Sequence, residues 1–215
     1  MKNLFILAIA FFSATFATAQ VEVSIEKVFP MEDKVMDLND AQLVKDGIIF
    51  VGDTRPTDKI IDGKYRGMRV VKQRRYYYIN DKCQSYNSSL LFRRAPQGAT
   101  REHKVDTSLK PRSCMVKMRP TSNGTFNFCA MTNKPEGNNL YVAVVNGKDF
   151  HSLATLPAVI ATENVGRKKD SPAKTISCDY TYHKGDEVWI YSDGSVILHA
   201  FSFSGSIDKE FKGNR

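Results

Sequence analysis

Tryptophan is nearly absent from this chain, one residue in 215, and histidine and cysteine occur only four times each. That scarcity excludes a good deal. His103, His151, His183 and His199 are scattered, and none stands in a metal-ligating or nucleophile motif. Cys83, Cys114, Cys129 and Cys178 match no zinc spacing. Ser113-Cys114 lacks the surroundings of a nucleophile elbow. Asp186 and Glu187 are adjacent, so on a strand their carboxylates turn to opposite faces. Asp179, Asp186 and Asp193 form no calcium-loop signature, so a structural Ca²⁺ has no support and no cofactor is expected. No helix-period segment of useful length follows the first 19 residues, and no later apolar run approaches membrane length. These gaps lean against an enzyme and against a helical bundle.

What the N-terminus does hold reads as an export signal. Lys2 gives a positive start, Leu4 to Phe12 is apolar, and Ala17-Thr18-Ala19 is a small-x-small cleavage pattern. Residues 1–19 are therefore expected to leave as a signal peptide, and no cysteine at that junction suggests a lipid anchor. The destination is periplasmic or extracellular. The formal charge is +8 with a pI near 9.3, and loss of Lys2 leaves +7. A cation of this size attracts polyanions at long range; outside the cell these are acidic polysaccharides or anionic surface rather than nucleic acid. Solubility alone is the competing reading of the charge.

Short alternating segments fill the rest. Val21, Val23 and Ile25 alternate with polar residues, Met68 to Ile79 is dense in strand formers, and Leu140 to Val145 is a continuous apolar strand. Asp40 to Val44 is read as one helical turn capped by Asp40. Val116–Met118 and Phe126–Ala130, joined through Pro120 and Asn123-Gly124, are read as a hairpin. Glu187–Tyr191 and Val196–Phe203 are read as a second, closing hairpin. Strands at roughly ten-residue spacing predict an all-β, antiparallel β-sandwich. It spans residues 20–215 as one domain, with 20–66 completing the sandwich or packing on it as an extension. An even cysteine count outside the cell permits disulfides among Cys83, Cys114, Cys129 and Cys178, with three connectivities open.

Three pieces in order resemble a known family. They are Arg-Ser-Cys…Lys-Met-Arg-Pro-Thr-Ser-Asn-Gly-Thr-Phe-Asn-Phe-Cys-Ala, Leu-Tyr-Val-Ala-Val, and Lys-Gly-Asp-Glu-Val-Trp-Ile-Tyr-Ser-Asp-Gly-Ser-Val. They resemble the non-catalytic β-sandwich modules found beside pectate lyases and other polysaccharide-degrading enzymes of Bacteroides-type bacteria, where an Asn-Gly-Thr strand and a final Gly-Asp-x-Val-Tyr-Ile-Tyr-Ser segment recur. The similarity covers roughly residues 86–203, and the cysteines at 114 and 129 depart from it. It implies a jelly-roll-like domain with a carbohydrate-related role.

Sugar recognition wants aromatic rings for the apolar face of a pyranose, and acidic sugars add a need for Arg or Lys. Arg75, Tyr76 and Tyr78, with Arg93 and Arg94 on the next strand, are the first candidates. Alternation puts Tyr76 and Tyr78 on one strand face and Arg75 and Tyr77 on the other. The competing reading has tyrosines in a core and arginines reaching out of it. Trp189 and Tyr191 share a face and are the second candidates, against ordinary packing. The loops Arg101-Glu-His-Lys and Gly166-Arg-Lys-Lys read as solvated charge, with an anion contact as the alternative. The function expected is an exported, non-catalytic protein that binds polysaccharide, acidic by preference. The alternatives are an envelope or protein-interaction domain without a sugar site, and a polysaccharide lyase or hydrolase.

Overall fold

The computed structural model describes residues 21–31, 33–38, 42–52, 68–92, 106–162 and 164–213, with Asp37 and residues 42–44 described in backbone only. The expected signal peptide, Arg93, Arg94 and the Arg101 loop lie outside the described residues.

The chain runs β1 (Val21–Ser24), α1 (Ile25–Val28), β2 (Val35–Asp37), β3 (Gln42–Lys45), β4 (Ile48–Val51), β5 (Arg69–Ile79) and β6 (Lys82–Leu91). It continues through β7 (Met115–Met118), β8 (Gly124–Thr132), β9 (Asn139–Asn146), β10 (Asp149–Pro157), β11 (Val159–Ile160) and β12 (Ala173–Lys174). The last strands are β13 (Ile176–Tyr180), β14 (Glu187–Ser192) and β15 (Ile197–Phe203). Of segment 40–44, read as a helical turn, Asp40 and Ala41 lie outside the described residues and 42–44 belong to β3, because pairing with β4 overrides weak local helix preference.

Two sheets face one another. The first is ordered β11-β8-β15-β6-β5-β12, with β1 on β15, β13 on β8 and β2 on β5; the second is ordered β10-β9-β14-β7-β4-β3. The core between them takes Val70, Leu90, Phe126, Phe128 and Phe203 from the first, and Phe50, Val116, Val142 and Ile190 from the second. The architecture is an all-β sandwich. Of the strands before residue 52, β1 and β2 belong to the first sheet and β3 and β4 to the second.

Two expected hairpins do not exist as hairpins. β7 pairs with β4 and β14 in the second sheet, whereas β8 pairs with β13 and β15 in the first. Likewise β14 belongs to the second sheet and β15 to the first. Each pair is an arch over the core. The reason lies in burial: both strands of each pair carry apolar faces that meet across the sandwich. Gly124 serves close packing here, since a Cβ would stand 2.5 Å from Phe203 Cε2 and 2.7 Å from the Gly205 nitrogen. The true hairpins are β3–β4, β5–β6 and β9–β10. Their turns place Asp46, Gly47, Asn80, Asp81 and Gly147 at positive φ, as tight hairpin turns demand.

The same arrangement separates the cysteines. All four are free. Cys114 packs in the central core at the start of β7, and Cys129 points to the opposite side of the first sheet, so no bridge can join them.

Candidate functional site

β5 and β6 form a long ribbon, offset by an irregularity between Lys72 and Arg75. Beyond it, the two faces of β5 differ completely. Tyr77 is fully buried on one face, while Tyr78 keeps 49% of its surface in water on the other, beside half-buried Tyr76 and exposed Arg74. Cross-strand partners extend this open face: Tyr76 stands opposite Ser85 and Tyr78 opposite Cys83. Arg74 Nε donates to Asn87 Oδ1 at 2.8 Å. On the other edge β12 runs parallel to β5 and sets Lys174 beside Tyr78. The result is a strip of Arg74, Tyr76, Tyr78 and Lys174, with the two rings about 7 Å apart at two-residue strand spacing.

Sequence alternation found the two tyrosines and their shared face. Arg75 stands apart from them, as that alternation requires: it is buried, with 8% of its surface exposed. Arg93 and Arg94 are not among the described residues. Lys174 could not be read from the sequence, because a parallel two-residue strand nearly a hundred positions away brings it in.

The buried side of the ribbon is a second, small core of Tyr77, Tyr86, Cys129, Met131, Ala173 and Ala200, with Ile79, Val159, Ala161 and Val165 packed against it. His199 is sealed within it, its Nδ1 3.0 Å from Tyr77 Oη and its Nε2 3.2 Å from the Gln73 carbonyl. A carbonyl only accepts, so Nε2 carries the proton and Tyr77 donates to Nδ1. Burial pushes His199 down to about 3, with the Gln73 carbonyl opposing and Arg75 assisting. The imidazole is therefore neutral. Burial also raises Tyr77 well above the ordinary phenol value.

The second pair of candidates lies on the outer face of the other sheet. Tyr191 is fully buried, its ring stacked 5.3 Å from that of Tyr141. It has no surface to offer a sugar. Trp189 is half-buried, and the Lys117 ammonium sits 4.1 Å from its ring centroid. Trp189 Nε1 donates to Glu187 Oε2 at 3.1 Å, and Arg119 Nη2 donates to Glu187 Oε1 at 3.3 Å. One face of the indole is covered by that cation. Trp189 and Tyr191 thus lie on a different sheet from the Tyr76–Tyr78 strip.

The turn aspartates are acceptors within the scaffold. Asp179 accepts from Thr125 Oγ1, Asp186 from Asn146 Nδ2 and Tyr180 Oη, and Asp193 from the backbone and side chain of Asn139. Among the described residues no group of His, Cys, Asp and Glu is placed to hold a metal ion. A cavity of about 360 Å³ lies between β1, α1 and β4, lined by Val23, Lys27, Ile48, Phe50 and Ile207 among others. It opens at the edge of the sandwich, and Glu22, Lys45, Asp46 and Lys209 also stand on its walls.

No family model matches the chain, and no curated protein matches it. Among solved structures, the chain is similar to the carbohydrate-binding module and glycoside hydrolase modules (CBM22-1-GH10) of Clostridium thermocellum endo-1,4-β-D-xylanase 10B, determined with xylohexaose. The identity is 11%, the TM-score 0.33, and the match covers 83% of this chain and 30% of that one. No helix among the described residues is long and apolar enough to cross a membrane.

Proposed function

We propose that this chain is an exported, non-catalytic protein that binds an acidic polysaccharide along the Arg74–Tyr76–Tyr78–Lys174 strip. The observation that carries the reading is Tyr78, half open to water on the same strand face as Tyr76 and between two cations. Two rings at strand spacing offer apolar faces to successive sugar units, while Arg74 and Lys174 meet carboxylates carried at the edges. The net positive charge draws such a polymer in from a distance.

Catalysis is not what this geometry favours. Arg74 bonds to the Asn87 amide, and the Glu26 carboxylate beside it is held by the Asn87 backbone N–H at 2.8 Å, so none of the four strip residues is an acid–base pair. A protein partner is the second reading, because an exposed Tyr–Arg surface is also what interface hot spots are made of.

Titration calorimetry of the mature protein with polygalacturonate and with neutral dextran, at low and high salt, decides between these readings. Salt-sensitive binding to the uronate polymer, lost in Tyr78→Ala, upholds the proposal. Binding to neither polymer, with capture of an envelope protein that Tyr78→Ala abolishes, replaces it with the second.

A further inference from the structure

Arg75 is a cation in an unusual position. It is more than nine-tenths buried, yet no carboxylate among the described residues pairs with it. Its Nη1 donates to the Arg74 carbonyl at 2.8 Å, and its Nε is buried with no partner. A guanidinium has five N–H donors, and of these Nε is the one both buried and unpartnered here. Leaving a charged group desolvated and unpaired is costly, and proteins ordinarily supply a counter-charge.

A second cation is delivered to the same place. The Gly166 carbonyl accepts from the backbone N–H of Tyr76 at 2.9 Å, which fixes the following residue, Arg167, one peptide from Arg75's neighbour. Gly166 sits at φ +71, where an L side chain is strained, and a Cβ would press on the tip of Met131, 2.5 Å from its Cε. The turn is thus pinned from both sides, with Arg167 exposed above a buried Arg75. Repulsion from Arg167 is, after burial itself, what lowers the Arg75 proton affinity. Two like charges brought together by a locked backbone make sense when a negative group sits between them.

We propose that Arg75 and Arg167 form a site for one oxyanion, a sulfate or carboxylate group, beneath the Gly166 turn on the outer side of the first sheet. The site lies on the opposite face of β5 from Tyr76 and Tyr78 and does not depend on the polysaccharide reading. Arg75 supplies the desolvated, oriented donors, and Arg167 closes over the anion from the solvent side. The groups below, His199 and Tyr77, are neutral and bonded to each other, so they add no competing negative charge.

The test is a titration of the mature protein with inorganic sulfate, sodium chloride holding ionic strength constant, read by the thermal midpoint and by the arginine Nε–H resonances. The wild type should show saturable stabilisation and a shift of the Arg75 resonance. Arg167→Gln, an exposed change that leaves the fold intact, should weaken sulfate about tenfold, the loss expected for one charge-assisted contact. Arg75→Lys should weaken it as well, since a point charge cannot reproduce the fork. A second arm uses dextran sulfate against neutral dextran. Displacement of the sulfated polymer by sulfate in wild type but not in Arg167→Gln identifies a polymer-borne group as the ligand, and saturation by sulfate without polymer binding identifies the free ion. Either supports the site. Equal responses of wild type and Arg167→Gln to sulfate, or no difference between sulfate and chloride, overturn it, whatever Tyr78→Ala does to uronate binding.

Discussion

The ammonium of Lys117 lies over the indole of Trp189, 4.1 Å from its centroid, and both side chains belong to the outer face of the second sheet. Burial lowers the Lys117 proton affinity, Glu187 opposes that shift, and Lys110 adds to it. The single tryptophan is thereby a reporter on a face remote from the proposed binding strip. Its emission should not change when uronate polymer binds, while Lys117→Ala should shift it without altering affinity. Quenching of Trp189 by ligand would move the binding surface to the second sheet.

Tyr78→Ala and Tyr76→Ala should each weaken polysaccharide binding at least about fivefold, equivalent to roughly 1 kcal/mol. The more exposed Tyr78 should cost more than half-buried Tyr76. Arg74→Ala and Lys174→Ala should flatten the salt dependence while leaving residual affinity at high salt. Calorimetry across a salt series measures all four.

His199 makes stability depend on acid. Its folded value is lowered to about 3, whereas an unfolded histidine titrates near 6.5, so the unfolded chain takes the proton first. The stabilisation is complete above about pH 6.5 and is lost as pH falls toward about 3, at up to roughly 1.4 kcal/mol per pH unit. Urea midpoints at pH 7 and pH 5 should therefore differ in the wild type. His199→Gln should start less stable at pH 7 and show a flatter slope; an unchanged slope would mean the imidazole is not sealed.

Thiol reactivity should rank by burial. Half-buried Cys83, whose Sγ faces the Lys169 carbonyl at 3.5 Å, should react first with a disulfide reagent at pH 8. Cys178 is pushed up to about 11 by burial and then by Asp179, so it should react slowly. Cys114 is fully buried, and burial pushes Cys129 up to about 12, so both should stay silent until urea opens the fold. Four thiols titrating in the denatured, unreduced protein would confirm the free state.

Gly124→Ala should destabilise by about 1–3 kcal/mol, because Phe203 is fully buried and the Gly205 backbone cannot retreat. That corresponds to a Tm loss of roughly 2–4 °C per kcal/mol. Gly147→Ala is the contrast. Its φ is +60 but nothing stands within 4 Å, so the cost should stay near 1 kcal/mol.

The sequence made the β-sandwich legible because alternation marks half-buried strands and a full apolar run marks β9, whose residues Leu140 to Val145 are all buried. What it could not convey was which strand pairs with which. Asn123-Gly124 has the composition of a hairpin turn, yet here it bridges two sheets, since turn chemistry specifies local reversal and not the partner. The site divides in the same manner. Tyr76 and Tyr78 followed from period two along a single strand, whereas Lys174 and Arg167 arrive through long-range contacts that leave no local trace. Trp189 and Tyr191 share a face by the same period of two, whereas the Lys117 ammonium over the indole comes from a partner strand and leaves no local trace.

The placement of β15 has a kinetic consequence. This late strand sits inside the first sheet, bonded to β8 on one side and to β6 and β1 on the other. Nothing synthesised earlier can zip that sheet shut. A growing chain must hold β1, β6 and β8 apart, with Phe126, Phe128 and Leu90 uncovered, until residues 197–203 emerge. Closure of the first sheet thus waits on a non-local pairing, the kind of contact whose loop-closure cost slows folding.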